Sequence, residues 1–260
     1  MPFLRIEDLC KPGSSLSQYF AASCFVALST LTEVLGHCLE HVYRLDKDYP
    51  SRPGMAPFDL ERLLTDWEDS LDENLRRLVI RGTGLVANGA ANLRLSYLSV
   101  KLLIRRSQLQ FDKLALQIND IDSVYYVQAR RVCEEIVDFV RELDEDHCRD
   151  FWMPPNAYTL TSATTFLIRC ALTSRGPSNN PSLKLARAMI DALQAHRKNY
   201  AWDVADNCLE TCSDLIEKIE SAFAETTDDT QTFQEFEQPM FMDMDMIAMN
   251  GFFSDFTGNF

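Results

Sequence analysis

Asn88–Leu109 reads NGAANLRLSYLSVKLLIRRSQL. Its large apolar residues are Leu93, Leu95, Tyr97, Leu98, Val100, Leu102, Leu103 and Ile104, and they occupy nearly every side of a helical wheel. A helix that is apolar all round is one that its own protein buries. The stretch therefore predicts the central helix of a helical body, and the neighbouring text is arranged to pack around it.

Upstream, Leu28, Leu31, Leu35, Cys38, Val42 and Leu45 recur at steps of three and four, which marks one face of a helix starting at Ser15. Ser14 or Ser15 is a suitable N-cap. The helix should stop before DKDYPSRPGMAP, where three prolines and a glycine interrupt the pattern. PFDLERLLTDWEDSLD then predicts a shorter helix, with Pro57 near its start and acids in its first turn. Leu78-Val79-Ile80 is the only strand-like run.

Downstream, SVYYVQARRVCEEIVDFVREL puts Val132, Ile136, Phe139 and Leu143 on one face. Pro154 and Pro155 open a helix through AYTLTSATTFLIRCAL, and SRGPSNNPS is a loop. A further helix runs from near Leu183 to near Tyr200. The last starts near Asp203 and turns Leu209, Cys212, Ile216, Ile219 and Phe223 inward. Seven helices with short connections give an all-α, bundle-like array.

The last 36 residues differ in kind. Glu225–Phe260 carries eight acids and no base, with seven of the sixteen Phe and five of the nine Met. Acids alternate there with large apolar residues and no core-building period appears. Such composition reads as a disordered acidic-aromatic tail that docks on a partner. The boundary divides the chain into a helical domain, 1–224, and a tail, 225–260. The candidate partner-binding anchors are Phe241, Met244 and Ile247, then Phe252, Phe253 and Phe256. Gly251 separates the two groups, so two short contact motifs are expected rather than one helix.

Charge and cysteines narrow the function classes. Of the net charge of −14, the tail holds eight negative charges and the body six, which argues against a broad nucleic-acid surface. Arg76, Arg77 and Arg81, and Lys101, Arg105 and Arg106, cluster at helical spacing that suits a solvated face. The eight cysteines are scattered through apolar helical text, without any CxxC, and are expected to be reduced thiols of an intracellular protein. No run is long and apolar enough in sequence to predict a membrane span.

Three groups raise the question of chemistry. Gly82-x-Gly84-x-x-Ala87 follows the strand-like run and precedes a helix, the outline of a dinucleotide fingerprint. No second strand follows, and no acid lies about 20 residues on to hold a ribose, so a glycine loop leading into the central helix is the expectation. His37, Cys38, Glu40 and His41 share one helical turn, and Cys208 and Cys212 form an i, i+4 pair. Neither group has the further ligands that structural zinc requires. Thr159, Thr161, Ser162, Thr164 and Thr165 could line a cavity, although such hydroxyls commonly bond back to their own helix. No catalytic residue, cofactor or metal site is expected.

The order of segments resembles the middle homology region of fungal zinc-cluster transcription factors, in the branch of the acetamidase regulator and the cutinase transcription factor. The resembling text is PFLRIEDL, LSTLTEVLGHCLEHVYRL, LLTDWEDSLDENLRRL, LRLSYLSVKLLIRR, DFWMPPNAYTLTSATTFLIRC and WDVADNCLETCSDLIEKI, spanning most of residues 3–219. The resemblance implies a helical regulatory domain of a nuclear activator. It implies partners of several kinds: a coactivator or the general transcription machinery through the tail, a second subunit in a homo- or heterodimer, and a small-molecule inducer. The family's six-cysteine, two-zinc DNA-binding module is not in this text, so no direct DNA binding and no membrane partner are expected. PFLRIEDL resembles text from inside the region, so the chain looks like the C-terminal part of such a factor or a truncated gene product. The reading is thus a non-enzymatic regulator. The alternative from another class is a nucleotide-dependent enzyme using the Gly82–Gly84 loop.

Overall fold

The computed structural model describes residues 5–10, 13–42, 57–115, 123–173 and 180–225. Among them the secondary structure is helical, with no strand: the fold is all-α. The helices are α1 (Ile6–Leu9), α2 (Leu16–Val42), α3 (Pro57–Ser70), α4 (Glu73–Arg81), α5 (Ala90–Ala115), α6 (Val124–Glu142), α7 (Glu145–Arg149), α8 (Pro155–Thr173), α9 (Pro181–Tyr200) and α10 (Asp206–Glu225). They form two compact units. One comprises 1–132 with 150–152, and the other 133–149 with 153–260. Helix α6 begins in the first unit and ends in the second.

The first unit is organised by α5, against which α2, α3 and α4 all pack, while α1 lies on α2. As expected of a helix apolar all round, Leu93, Leu95 and Leu98 are fully buried and Val100, Leu102 and Ile104 nearly so. The polar residues of α5 are bound to neighbours. Arg94 donates to the Val79 carbonyl oxygen, and Arg105 pairs with Glu61 of α3 at 2.6 Å. Gln108 donates to the same carboxylate at 2.7 Å and accepts from Arg105 at 2.9 Å, closing a three-membered network across α3 and α5. Trp67 of α3 stacks on Tyr97 with ring centroids 6.1 Å apart, and its indole N–H donates to the Thr30 hydroxyl at 2.9 Å.

The buried stripe of α2 is Cys24, Ala27, Leu31, Val34 and Cys38. Leu31 and Cys38 match the expected face, but Leu28 and Leu35 are only half-buried and Val42 is exposed. Leu45 lies outside the described residues. The face is rotated because helix axes approach most closely where the contacting side chains are small, and Cys24, Ala27 and Cys38 supply that surface. Contrary to the sequence expectation, α2 is by length and composition long and apolar enough to cross a membrane; its extent comes from continuing through Ser and Thr residues, and part of it is buried inside the first unit.

In the second unit α8, α9 and α10 pack mutually, and α7 lies on α9. Asn180 caps α9: its side-chain oxygen accepts from the Ser182 N–H at 2.9 Å while its amide donates to the Ala171 carbonyl at 2.9 Å. One residue thus starts α9 and satisfies an orphan carbonyl at the end of α8. The helix therefore starts at Pro181, two residues before Leu183. Buried His196 bonds to the Val140 carbonyl at 2.7 Å between the rings of Tyr200 and Trp202. On α6, Val132, Ile136 and Phe139 are buried, and so is Leu143 just past its end.

Candidate functional site

The expected anchors Phe241, Met244, Ile247, Phe252, Phe253 and Phe256 lie in 226–260, outside the described residues. The candidates within the body are positioned as follows.

The strand-like reading of Leu78-Val79-Ile80 is overturned, since all three lie in α4. Asp72 caps that helix, its carboxylate accepting from the N–H groups of Asn74 at 2.9 Å and Leu75 at 3.0 Å. Gly82 ends it in the left-handed region at φ 70°, its N–H bonded to the Leu78 carbonyl. Left-handed backbone favours glycine because it has no Cβ to clash. Leu75, Leu78 and Val79 fill the buried side. The amphipathic spacing and two good caps outweigh the β preference of two β-branched residues. Gly82 is thus a helix stop rather than the turn of a phosphate loop, and the helix–loop–helix context removes the strand that a dinucleotide fingerprint needs.

The His37-Cys38-Glu40-His41 turn is divided by its own helix. Cys38 points into the core with no exposed surface, and burial pushes its thiol up to about 12. His37 faces solvent with its Nδ1 at 3.8 Å from a Glu40 oxygen. These groups do not converge, and no cluster of three or more His, Cys, Asp or Glu suited to a metal occurs among the described residues. The basic clusters are largely tied up by neighbours. Arg76 pairs with Asp69 at 2.9 Å, Arg77 with Glu73 at 2.8 Å and Arg105 with Glu61, while the Lys101 ammonium sits 5.9 Å from the Tyr97 ring centre.

The structure does bring together Cys208 and Cys212 of α10 with the hydroxyl-rich face of α8. Both thiols are fully buried. The Thr164 hydroxyl lies 3.3 Å from the Cys208 sulfur, and Asn207 donates to the Thr161 hydroxyl at 3.0 Å. The hydrogen bond between Cys208 and Cys212 pushes the Cys212 thiol far up, with burial adding to it. The same bond, helped by Thr164 and Thr161, draws Cys208 down against its burial. The threonines also bond back to their own helix. Thr161 reaches the Ala157 carbonyl at 3.2 Å, Thr164 the Leu160 carbonyl at 2.8 Å and Thr165 the Thr161 carbonyl at 2.9 Å. The group is a close-packed polar seam between two helices, with no thiol open to solvent.

Two further thiols sit near acids. Cys148 follows the 2.7 Å Asp144–His147 pair, but burial, then the Asp144 charge, push it up to about 12. Burial, then the charges of Asp72 and Asp150, do the same to Cys24. Thiols so raised remain protonated near neutral pH, which is the inert rather than the nucleophilic form.

The sequence reading puts Leu28, Leu35 and Val42 on one face with Leu31 and Cys38, and so does not separate out the outer flank of α2. Phe25, Leu28, Thr32, Leu35, Leu39 and Val42 form a second line beside the buried stripe, and Phe25 is 53 % exposed. The signal was present as an unbroken three-four spacing, one residue out of step with the buried one. Family models, curated proteins and solved structures return no match to this chain.

Proposed function

We propose that the chain is the C-terminal regulatory and activation portion of a fungal, nuclear transcription regulator, in which a helical domain governs an acidic-aromatic tail. The observation that carries this reading is the ordered series of resembling segments, followed by that tail. Support comes from where those segments fall. The segment at 28–45 overlaps α2, that at 63–78 crosses α3 and α4, and that at 93–106 lies within α5. The segment at 150–170 leads into α8, and that at 202–219 covers most of α10. The rival enzyme loses its sequence lead, because Leu78-Val79-Ile80 is helical and Gly82 is a helix cap.

The tail would act by coupled ordering. Acids keep Phe and Met side chains solvated, and the segment orders only when an apolar groove receives it. Asp243, Asp245 and Asp255 would speed encounter with a basic partner more than they hold it. A small-molecule inducer would act on the helical domain rather than on the tail. Residues 225–260 fused to a heterologous DNA-binding domain should activate a reporter. Replacing Phe252, Phe253 and Phe256 by Ala should remove most of that activity, whereas Asp243→Asn with Asp245→Asn should remove less. A silent fusion, or one indifferent to loss of the three aromatics, would overturn the proposal.

A further inference from the structure

We propose that the outer flank of α2 is a self-association surface, on which α2 of a second copy of this chain packs antiparallel. This goes beyond the reading of the tail and stands without it. The flank is Phe25, Leu28, Thr32, Leu35, Leu39 and Val42, with steps of 3, 4, 3, 4 and 3. That is the spacing of a coiled-coil seam, and a second helix with the same spacing is its natural complement. The series is also palindromic. A twofold axis between residues 33 and 34 sets Phe25 against Val42, Leu28 against Leu39 and Thr32 against Leu35, as an isologous contact requires.

Exposure, space and charge agree. Phe25 is 53 % exposed, and Leu39 and Val42 are each 37 % exposed. Beside the seam a Cβ built on Gly36 would meet nothing within 4 Å, so the flank is open and its backbone can be approached closely. Helix α2 contains no Lys or Arg. Its two acids, Glu33 and Glu40, fall about 100° or more from the seam on a helical wheel. Two copies of a chain of net charge −14 can therefore meet here without opposing charges in the contact. Antiparallel packing also sets the helix dipoles head to tail. The seam offers roughly 300–400 Å² per copy, against about 800 Å² per partner in a standard stable complex. The dimer is accordingly weak and concentration-dependent. A lipid surface is the lesser occupant, because the neighbouring stripe, Cys24 through Cys38, is already buried in the first unit.

Sedimentation velocity of the full chain between about 1 and 200 µM tests this. The expected result is a monomer–dimer equilibrium, with the dissociation constant raised about tenfold or more by Phe25→Glu and, separately, by Leu39→Glu. Val86→Glu, at a 95 % exposed apolar residue outside the seam, should leave it unchanged. Circular dichroism melts of all three variants establish that the fold persists. A chain monomeric at every concentration would overturn the proposal. So would a dimer indifferent to both seam substitutions, or a monomer that instead binds phosphatidylcholine vesicles through Phe25 and Leu39.

Discussion

Removing the two caps of α4 tests whether Leu78-Val79-Ile80 and Gly82 form the end of a capped helix rather than a strand and its turn. Asp72→Ala deletes two hydrogen bonds to the first turn, at 2.9 and 3.0 Å, and the carboxylate that complements the helix dipole. Loss of such an N-cap costs about 1 kcal/mol, within a range of roughly 0.5–2. Gly82→Ala forces a Cβ into backbone at φ 70°, at roughly 1–2 kcal/mol. The new methyl would meet only the Arg94 Nε at 3.6 Å, an ordinary contact, so strain is the whole cost. The two sites are ten residues apart, so their effects should add. The double variant should lose about 2–3 kcal/mol. Native-state amide exchange is the sharper assay, because 1 kcal/mol of local opening speeds exchange about fivefold. Arg76–Ile80 should exchange about fivefold faster in Asp72→Ala and faster still in the double variant. Gly84→Ala, with φ 82° but no helix to end, should leave those amides unaffected. Were Asp72→Ala silent at Arg76–Ile80 while Gly84→Ala unprotected them, α4 would not be the capped helix described. Saturable nucleotide binding lost in Gly84→Ala would restore the enzyme reading.

Asn180→Ala should cost about 2–3 kcal/mol, since it removes the α9 cap and leaves the Ala171 carbonyl buried without its partner. Asn180→Asp should recover only the cap, and urea unfolding of the three proteins measures the difference. The Arg105 hydrogen bond, with that of Gln108, holds the Glu61 carboxyl below its usual range. A pKa depressed in the folded state adds stability that is complete above the unfolded value of about 4.3 and lost as pH falls through the folded one. The stability advantage of the wild type over Glu61→Gln should therefore be present at pH 7 and vanish towards pH 3; an equal gap at both would contradict the network. Seven cysteines are buried and Cys10 is half-buried. An aromatic disulfide reagent at pH 8 should thus titrate one thiol rapidly in the native chain, and none in Cys10→Ser.

Much of the fold is legible in sequence, and the misses share a physical cause. Helix α5 is readable because burial on all sides needs no choice of face. Helix α6 is readable because Val132, Ile136 and Phe139 lie on a face dominated by large residues. Helix α2 was misread by one residue of phase, because apolar size marks Leu28 and Leu35 while packing selects Cys24, Ala27 and Cys38. Helix α4 is missed although Asp72, Leu75, Leu78, Val79 and Gly82 spell a capped amphipathic helix; two adjacent β-branched residues, Val79 and Ile80, mask the longer period. The threonines of α8 could by sequence line a cavity, bond back to their own helix or face water, and they do bond back to their own carbonyls. Their meeting with Cys208 and Asn207 could not be read from spacing, since it depends on where α10 lands 44 to 46 residues later. The tail anchors rest on composition alone, as they lie outside the described residues.

The distribution of apolar surface joins the two proposals. Every large hydrophobic residue more than 36 % exposed among the described residues belongs to the first unit, from Leu9 to Val127 together with Phe151. The tail follows α10, in the second unit. Association through α2 would place two copies of the tail on one particle. Linked binding modules raise overall avidity by effective concentration, up to about 10²–10⁴-fold, without any new contact. A weak α2 dimer would then act as a gain control: local concentration of the protein on its targets, rather than the affinity of one tail, sets the response. The expected signature is separable. In a fusion of the full chain to a monomeric heterologous DNA-binding domain, Leu39→Glu should lower reporter activity on a single-site promoter, where only the dimer brings a second tail, and lower it less on a two-site one. Driven by 225–260 alone, which lacks α2, the single-site promoter should respond like that driven by the Leu39→Glu full-chain fusion at matched amounts. If Leu39→Glu depresses both promoters equally while the protein stays folded, the seam does not act through tail number, and coupling between self-association and activation is refuted.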